Sequence, residues 1–421
     1  MTALLTAVYL ALASYYALFI GAFGLGWQRA RRASARRQAA ARAEPSGDGA
    51  PALVPFVSVI VPARNEAANI EACLEALLAC DYPPERYEIL VVDDCSEDDT
   101  AARVRRVMAR AHAPALALAG GGDGTDERPA PRIRLLSIAE NERRERAHKK
   151  YAIERAAAHA RGTLLFTTDA DCTVRPRWLR DMAAAFPDAH RPLGTPGGVT
   201  GFVSGPVLFH ADAPVLLRMQ ALEFLGLAAC GAGAIGIGRP TLANGANVGY
   251  RADLFRALGG FSGLRHLSSG DDELLMQRIH DATPHHVHFC ASPEAAVETE
   301  PVRSLRAFYE QRRRWASKGA HYPNRLLVAM LVPVFLFYLA LVLAPLAWWA
   351  APGLGPVLAL VLGLKMLPEL ALLAPFAHHF GRGWLMRYFA PAQVLQIPYI
   401  VVAAIGGALG GFEWKGRRMV R

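Results

Sequence analysis

Residues 56–94 read FVSVIVPARNEAANIEACLEALLACDYPPERYEILVVDD. Phe56–Pro62 and Tyr87–Asp94 are runs of β-branched and apolar residues, the composition of strands, and Asn65–Cys80 between them carries apolar residues at helical spacing. Strand, helix and strand in immediate succession make a βαβ opening, which starts a parallel sheet and predicts an α/β fold. Leu164–Thr168 (LLFTT) is another such run, followed by Asp169 and Asp171. In open α/β sheets ligands collect beyond the carboxyl ends of the strands, so both acid clusters fall where a site is expected. Ala113–Pro131, rich in Ala, Gly and Pro, predicts a surface insertion between the two clusters.

Outward from this core the chain turns apolar. It has 421 residues, of which 52% are hydrophobic and 20% charged, and its mean hydropathy is +0.17. That excludes a disordered chain and leaves room for one large domain plus membrane sequence. Leu4–Gly26 is uncharged and long enough to cross a hydrocarbon core. Arg29, Arg31, Arg32, Arg36, Arg37 and Arg42 follow it. A signal peptide carries its positive charge first, so residues 1–27 read as an uncleaved transmembrane anchor whose basic flank is cytosolic. Residues 28–52 read as a basic linker and 53–322 as the globular domain. Residues 323–412 read as a membrane region, with spans at 326–350 and 352–376. A weaker segment at 388–412 carries Pro391, Gln393, Gln396 and Pro398, which favours an interfacial or re-entrant lie. That arrangement also keeps the basic tail, 413–421, on the cytosolic side.

The net charge of +9 is concentrated in the Arg run and in the basic residues from Pro375 onward, leaving the rest of the chain slightly acidic. Nucleic acid is therefore not an expected partner. Six scattered cysteines, at 73, 80, 95, 172, 230 and 290, show no metal spacing and fit a reducing cytosol.

Several short motifs carry chemistry. Asp93 and Asp94 in VVDDCS can accept hydrogen bonds from a ribose or an imide, although an Asp turn explains them equally well. Asp169 and Asp171, one residue apart at a strand end, can share a hard divalent cation with phosphate oxygens. Gly270-Asp271-Asp272-Glu273 precedes a helical pattern. It offers either a helix N-terminus dressed with acids or a general base for an acceptor hydroxyl. In QRRRW (311–315), Gln311, Arg314 and Trp315 share one helix face, as a membrane-surface flank would also arrange them. Asn247 in GANVGY is a candidate acceptor contact with a turn residue as the alternative. GAGAIG (231–236) matches GxGxxG without a preceding strand, which argues against a dinucleotide site and for a flexible loop beside the acceptor. His285, His286 and His288 lack a third-ligand pattern for a metal. Lys365 and Glu369, four apart in an apolar segment, are expected to face the protein interior, with a lipid head group as a candidate contact.

In their order and separations, VSVIVPARNE (57–66), VVDDCSEDDT (91–100), DADC (169–172), GANVGYR (245–251), GDDELL (270–275) and QRRRW (311–315) resemble the membrane-bound family 2 glycosyltransferases with the QxxRW motif. These include cellulose and hyaluronan synthase-like and ceramide glucosyltransferase-like enzymes. The resemblance covers roughly residues 53–320. It implies a GT-A catalytic domain, a Rossmann-like mixed sheet for nucleotide-diphospho-sugars, attached to transmembrane helices. It implies further that Pro62, Glu66, Asp93, Asp94 and Lys149 serve a UDP- or GDP-type donor, with Asp169 and Asp171 on Mg²⁺ or Mn²⁺. Asp271 matches the catalytic base, and Gln311, Arg314 and Trp315 match the motif that holds the diphosphate and the acceptor end. Gly270 stands where the family usually has an acid, so Asp272 is a second candidate base.

The expectation is an inverting, metal-dependent glycosyltransferase in the inner membrane of a bacterium, multi-pass, with a cytosolic catalytic domain and a lipid or lipid-linked acceptor. A processive polysaccharide synthase and an inactive nucleotide-sugar-binding scaffold are the alternatives.

Overall fold

The computed structural model describes residues 1–43, 54–118, 131–139, 142, 148–210, 214–265, 267, 270–317, 324–409, 412–414 and 417–419. They form two compact units, one of residues 30–208 and 243–300, the other of 1–29, 209–242 and 301–421. The expected single block 53–322 is thus interrupted, because residues 215–236 form an apolar helix that groups with the other long apolar helices.

The first unit is built on a sheet of β1 (Val57–Ala63), β2 (Tyr87–Asp93), β3 (Arg132–Ser137), β4 (Leu164–Thr167), β6 (Thr200–Ser204), β8 (Val248–Arg251) and β9 (His286–Phe289), in the order β3-β2-β1-β4-β8-β6-β9. Short strands β5 (Cys172–Val174), β7 (Val207–Phe209) and β10 (Val297–Thr299) make a second sheet. The pairs β1–β2, β2–β3 and β1–β4 are parallel, and β8 is antiparallel to β4 and β6. The sheet is therefore mixed, as expected. Strand order reverses between β1 and β4, and such a switch point opens a crevice at the strands' carboxyl ends.

β1 and β2 are buried along most of their length, which explains why they read as continuous apolar runs instead of alternating ones. Between them, Ser58 Oγ donates to Glu88 Oε1 at 2.8 Å and the Arg161 backbone N–H donates to the same oxygen at 2.7 Å. Helix α2 (Ile70–Leu78) buries Ile70, Cys73, Leu74 and Leu77, the expected i, i+3, i+4, i+7 stripe. Helix α3 (Thr100–Leu118) takes in residues 113–118, the start of the expected insertion. The rest of that segment, 119–130, lies outside the described residues.

Among the described residues, five helices are long and apolar enough to cross a membrane: residues 2–42, 215–236, 325–350, 352–379 and 383–408. Helix α1 (Thr2–Ala43) runs without a break through residues 28–43, the first part of the expected linker. Ala and Arg are good helix formers, and the extension is held by side chains. Ser34 Oγ accepts the Ala291 N–H at 2.8 Å, and Gln38 Nε2 donates to the Asp181 carbonyl at 2.6 Å.

The GAGAIG stretch is not a loop: it closes helix α6 (Val215–Gly236). A Cβ on Gly233 or Gly236 would collide with the α1 backbone at Phe23 or Gly26. These glycines let two helices approach backbone to backbone, the small-residue packing of membrane helices.

Helices α10 (Arg325–Ala350), α11 (Gly355–His379) and α12 (Phe389–Leu409) complete this unit with α9 (Leu305–Ser317). Lys365 of α11 is fully buried. Its ammonium donates to Glu369 Oε1 at 2.8 Å, to Gln396 Oε1 at 3.0 Å and to Gln393 Oε1. Gln393 Nε2 returns a bond to Glu369 Oε2 at 2.7 Å, and Tyr16 of α1 donates to Glu369 Oε1. Lys365 and Glu369 thus face the interior as expected, but protein groups surround them. The glutamines that argued for an interfacial third segment point inward to Lys365 instead. Lys365→Met strands the Glu369 carboxylate and is expected to cost about 3–5 kcal/mol. Lys365→Met with Glu369→Leu removes both charges and should cost less, as read from unfolding midpoints in detergent.

Candidate functional site

Three loops leave the carboxyl ends of β1, β2 and β4. After β1, the Glu66 carbonyl accepts the Asn69 and Ile70 N–H groups and starts α2. The buried Glu66 carboxylate takes a 3.0 Å bond from Asn69 Nδ2. Pro62 stays in strand register opposite Val92. After β2, Asp93 Oδ1 accepts the Ser96 N–H at 3.2 Å, the Asp turn weighed from sequence. Asp94 donates its N–H to the Ala63 carbonyl at 2.9 Å. Its buried carboxylate stands 3.7 Å from Nδ1 of His148.

His148 opens helix α4 (His148–His159), and the next residue joins the remaining acids. Lys149 Nζ lies 2.6 Å from Asp169 Oδ1 and 3.4 Å from Asp271 Oδ2. Burial works against the ammonium, but Asp169 and Asp271 outweigh it and hold its pKa above the ordinary lysine value. Gly245 closes the same space. A Cβ there would come within 2.9 Å of both Asp271 Oδ2 and Lys149 Nζ, and its carbonyl accepts from Thr167 Oγ1 at 2.8 Å.

Asp271 and Asp272 separate in role. Asp272 caps α8 (Glu273–Ala282), accepting the Glu273 N–H at 2.7 Å, and its other oxygen accepts the Gly245 N–H at 2.8 Å. Both of its oxygens therefore hold structure, while Asp271 faces Lys149.

Asp169, Asp171 and Cys172 bring ligand atoms within 4.8 Å of one another. Burial and the two carboxylates push the Cys172 thiol well above its usual pKa, and its Sγ donates to Asp171 Oδ1 at 3.6 Å. The two carboxylates, one residue apart, suit a hard cation such as Mg²⁺ or Mn²⁺. The Lys149 ammonium on Asp169 shows that this pocket already holds positive charge.

The structure corrects one expected site residue. Asn247 is fully buried. Its Nδ2 donates to the Pro206 and Ala295 carbonyls, both at 2.8 Å, and its Oδ1 accepts Trp178 Nε1 at 3.0 Å. With its amide spent on structure, Asn247 is a packing residue and not an acceptor contact. Gln311, Arg314 and Trp315 lie on α9, in the other compact unit. There the intervening Arg312 is buried between the Phe308 and Trp315 rings, 4.4 and 4.3 Å from their centroids, and pairs with Glu223. The three histidines serve the sheet edge. His285 Nδ1 accepts the Val199 N–H, His286 Nε2 meets the Gly197 carbonyl, and Arg37 Nη2 lies 2.9 Å from His288 Nε2.

Sequence reading missed His148, Gly245 and Thr167. His148 adjoins Lys149, and Gly245 opens the quoted GANVGYR, but neither carries a pattern that separates a site residue from an ordinary helix or turn residue.

A family model described as Glycosyl transferase family 2 matches residues 58–115, and one described as Glycosyl transferase family 21 matches residues 129–420. The chain is similar to "Glycosyltransferase AglE" of Haloferax volcanii, 32% identical over 126 residues, 30% of this chain and 34% of that protein. It is also similar to "Undecaprenyl-phosphate 4-deoxy-4-formamido-L-arabinose transferase" of Edwardsiella ictaluri, 27% identical over 143 residues, 34% of this chain and 37% of that protein. The chain thus spans about a third of the length of these curated relatives. Among solved structures, "Mannosyltransferase PcManGT" from Pyrobaculum calidifontis, in complex with GDP-Man and Mn²⁺, aligns with 96% of this chain and 99% of its own. It is 26% identical, with a TM-score of 0.51. The catalytic unit therefore has the GT-A fold.

Gly245→Ala should push Asp271 and Lys149 apart by a few tenths of an ångström. Turnover is expected to fall roughly ten- to hundredfold with little change in unfolding temperature. A separate expectation concerns acid stability. Burial, and then Arg37, pull the His288 pKa down to about 3. Folded His288 stays neutral where the unfolded chain, with an ordinary value of about 6.5, binds a proton. Its contribution is complete above about pH 6.5 and is lost toward pH 3, at about 1.4 kcal/mol per unit. Unfolding midpoints in His288→Gln should fall less steeply between about pH 7 and pH 5.

Proposed function

The chain belongs to glycosyl transferase family 21, and from that premise we propose that it is an inverting, metal-dependent enzyme that moves a sugar from a UDP- or GDP-type donor to a lipid or lipid-linked acceptor. In this reading it is a multi-pass protein of the bacterial inner membrane with a cytosolic catalytic domain. The observation that carries the proposal is the Lys149 ammonium, shared by Asp169 and Asp271 at 2.6 and 3.4 Å. It draws a strand-end DxD motif and a candidate base around one point of positive charge, the arrangement a departing diphosphate requires. The mannosyltransferase that matches nearly the whole chain is complexed with GDP-Man and Mn²⁺, and the Edwardsiella relative is named for an undecaprenyl-phosphate acceptor.

Each side chain then has one task. Asp94, with Asp93, accepts hydrogen bonds from the nucleoside, and Pro62 and Glu66 border it from the first loop. Asp169 and Asp171 hold the divalent ion, which when bound offsets charge on the diphosphate. Lys149 adds a donor to the same oxygens, and the QRRRW residues Gln311, Arg314 and Trp315 keep the donor and acceptor roles that the family resemblance implies. Asp271 takes the proton of the acceptor hydroxyl as its oxygen attacks the anomeric carbon. The bond from that carbon to the diphosphate oxygen breaks on the opposite face, and the nucleoside diphosphate leaves with the electron pair. One displacement inverts the anomeric centre, with no second catalytic carboxylate. Asp272, whose oxygens accept the Glu273 and Gly245 N–H groups, is the second candidate for the base.

Release of free nucleoside diphosphate from a panel of UDP- and GDP-sugars tests this reading, with full-length protein in lipid and Mg²⁺ or Mn²⁺ against EDTA. Release with one donor, abolished by EDTA and reduced at least about a thousandfold in Asp271→Asn, is the expected outcome. No release with any donor in the presence of lipid extract would favour a binding scaffold. A ladder of products from a labelled donor would favour a processive synthase.

A further inference from the structure

Among the described residues, two that are not glycine adopt a left-handed backbone, Asn65 at φ 51° and Cys95 at φ 53°. They face each other in the loops that follow β1 and β2. Such residues are costly unless their surroundings hold them, and they gather at functional sites.

Here the two loops are laced together. The N–H groups of Asn65, Glu66 and Ala67 donate to Ser96 Oγ, Thr100 Oγ1 and Asp98 Oδ2 at 3.0, 2.8 and 3.0 Å, and Asn65 Oδ1 accepts the Glu97 N–H at 2.9 Å. Arg64 sits beneath this lacing with its side chain 7% exposed. Its Nη1 donates to the carbonyls of Asp94 and Cys95, both at 2.8 Å, and its Nη2 lies 3.0 Å from Glu97 Oε1. Both peptide oxygens around the left-handed turn are thus held by one planar guanidinium. The Asp94 N–H is held from the adjacent residue, Ala63.

We propose that Arg64 is a positioning residue for the donor nucleoside: it fixes the peptide that carries Asp94 and so aims the Asp94 carboxylate. This rests on the reading that Asp94 meets the nucleoside. Arg64 itself touches no substrate. A lysine in its place supplies a single nitrogen, where the guanidinium fork holds the two carbonyls through Nη1 and Glu97 through Nη2. An apolar side chain of similar length supplies neither bond, and the strained turn then relaxes.

The test is calorimetric binding of UDP and of GDP, each with Mn²⁺, to full-length protein in lipid nanodiscs, together with donor KM and kcat. Arg64→Met should weaken nucleoside diphosphate binding and raise donor KM roughly ten- to fiftyfold while kcat changes less than about threefold. Arg64→Lys should recover part of that loss. Arg86→Met is the control for a merely structural arginine. Its Nε donates to the Val54 carbonyl at 2.9 Å, beside the amino end of β2, so it should lower unfolding temperature with affinity unchanged.

A folded Arg64→Met that binds as tightly as wild type overturns the proposal. If that variant does not fold, Arg64→Lys and Arg64→Gln decide on the same readout. Wild-type protein that binds neither UDP nor GDP would instead overturn the donor reading on which the proposal stands.

Discussion

The pairing of Lys149 with Asp169 and Asp271 is the constraint around which the catalytic unit is arranged. Parallel strands aim their carboxyl ends one way, and β1, β2 and β4 each deliver acids to that edge. Gathered carboxylates repel one another and lose hydration together, so a cation has to stand among them. Helix α4 supplies it from its first turn, beside a histidine that faces Asp94. The tie between Gly245 and Asp272 follows from the same requirement, since a side chain at residue 245 would occupy the space where acid and ammonium meet.

The second compact unit answers a different constraint. In an apolar environment helices gain little from burying apolar surface, so packing and internal polar bonds must associate them. Gly233 and Gly236 give α6 its close approach to α1, and Gly406 and Gly407 do the same for α12 where it meets Tyr309 and Ala316 of α9. Lys365 joins α11 to α12 through Gln393 and Gln396, and Glu369 returns a tie to α1 through Tyr16. Polar residues that look out of place in an apolar sequence are there because they satisfy one another.

Three readings made from local polarity share one cause. The glutamines of the last apolar segment suggested a surface lie, because a one-dimensional pattern records polarity and not partners. Asn247 suggested an acceptor contact for the same reason, yet its amide is consumed by Trp178, Pro206 and Ala295, residues far apart in the chain. GAGAIG suggested a loop because glycine weakens helices, a local cost that close helix packing overrides.

The sequence alone determined the α/β class, the parallel opening of the sheet, the apolar helices that begin near residues 2, 325 and 352, and the strand-end acids Asp94, Asp169 and Asp171. These are local properties: β-branched runs, helical periodicity and long uncharged stretches state their preferences within a few residues. Only the tertiary structure decided that Asp271 faces the ammonium while Asp272 caps a helix, and that residues 215–236 leave the sheet unit for the apolar helices. It alone decided that Arg64 grips the Asp94 turn and that Asn247 is structural. Each of these depends on which distant backbone groups need a hydrogen-bond partner or on which helix another approaches. Such pairings are settled by satisfying buried polar groups across the whole fold.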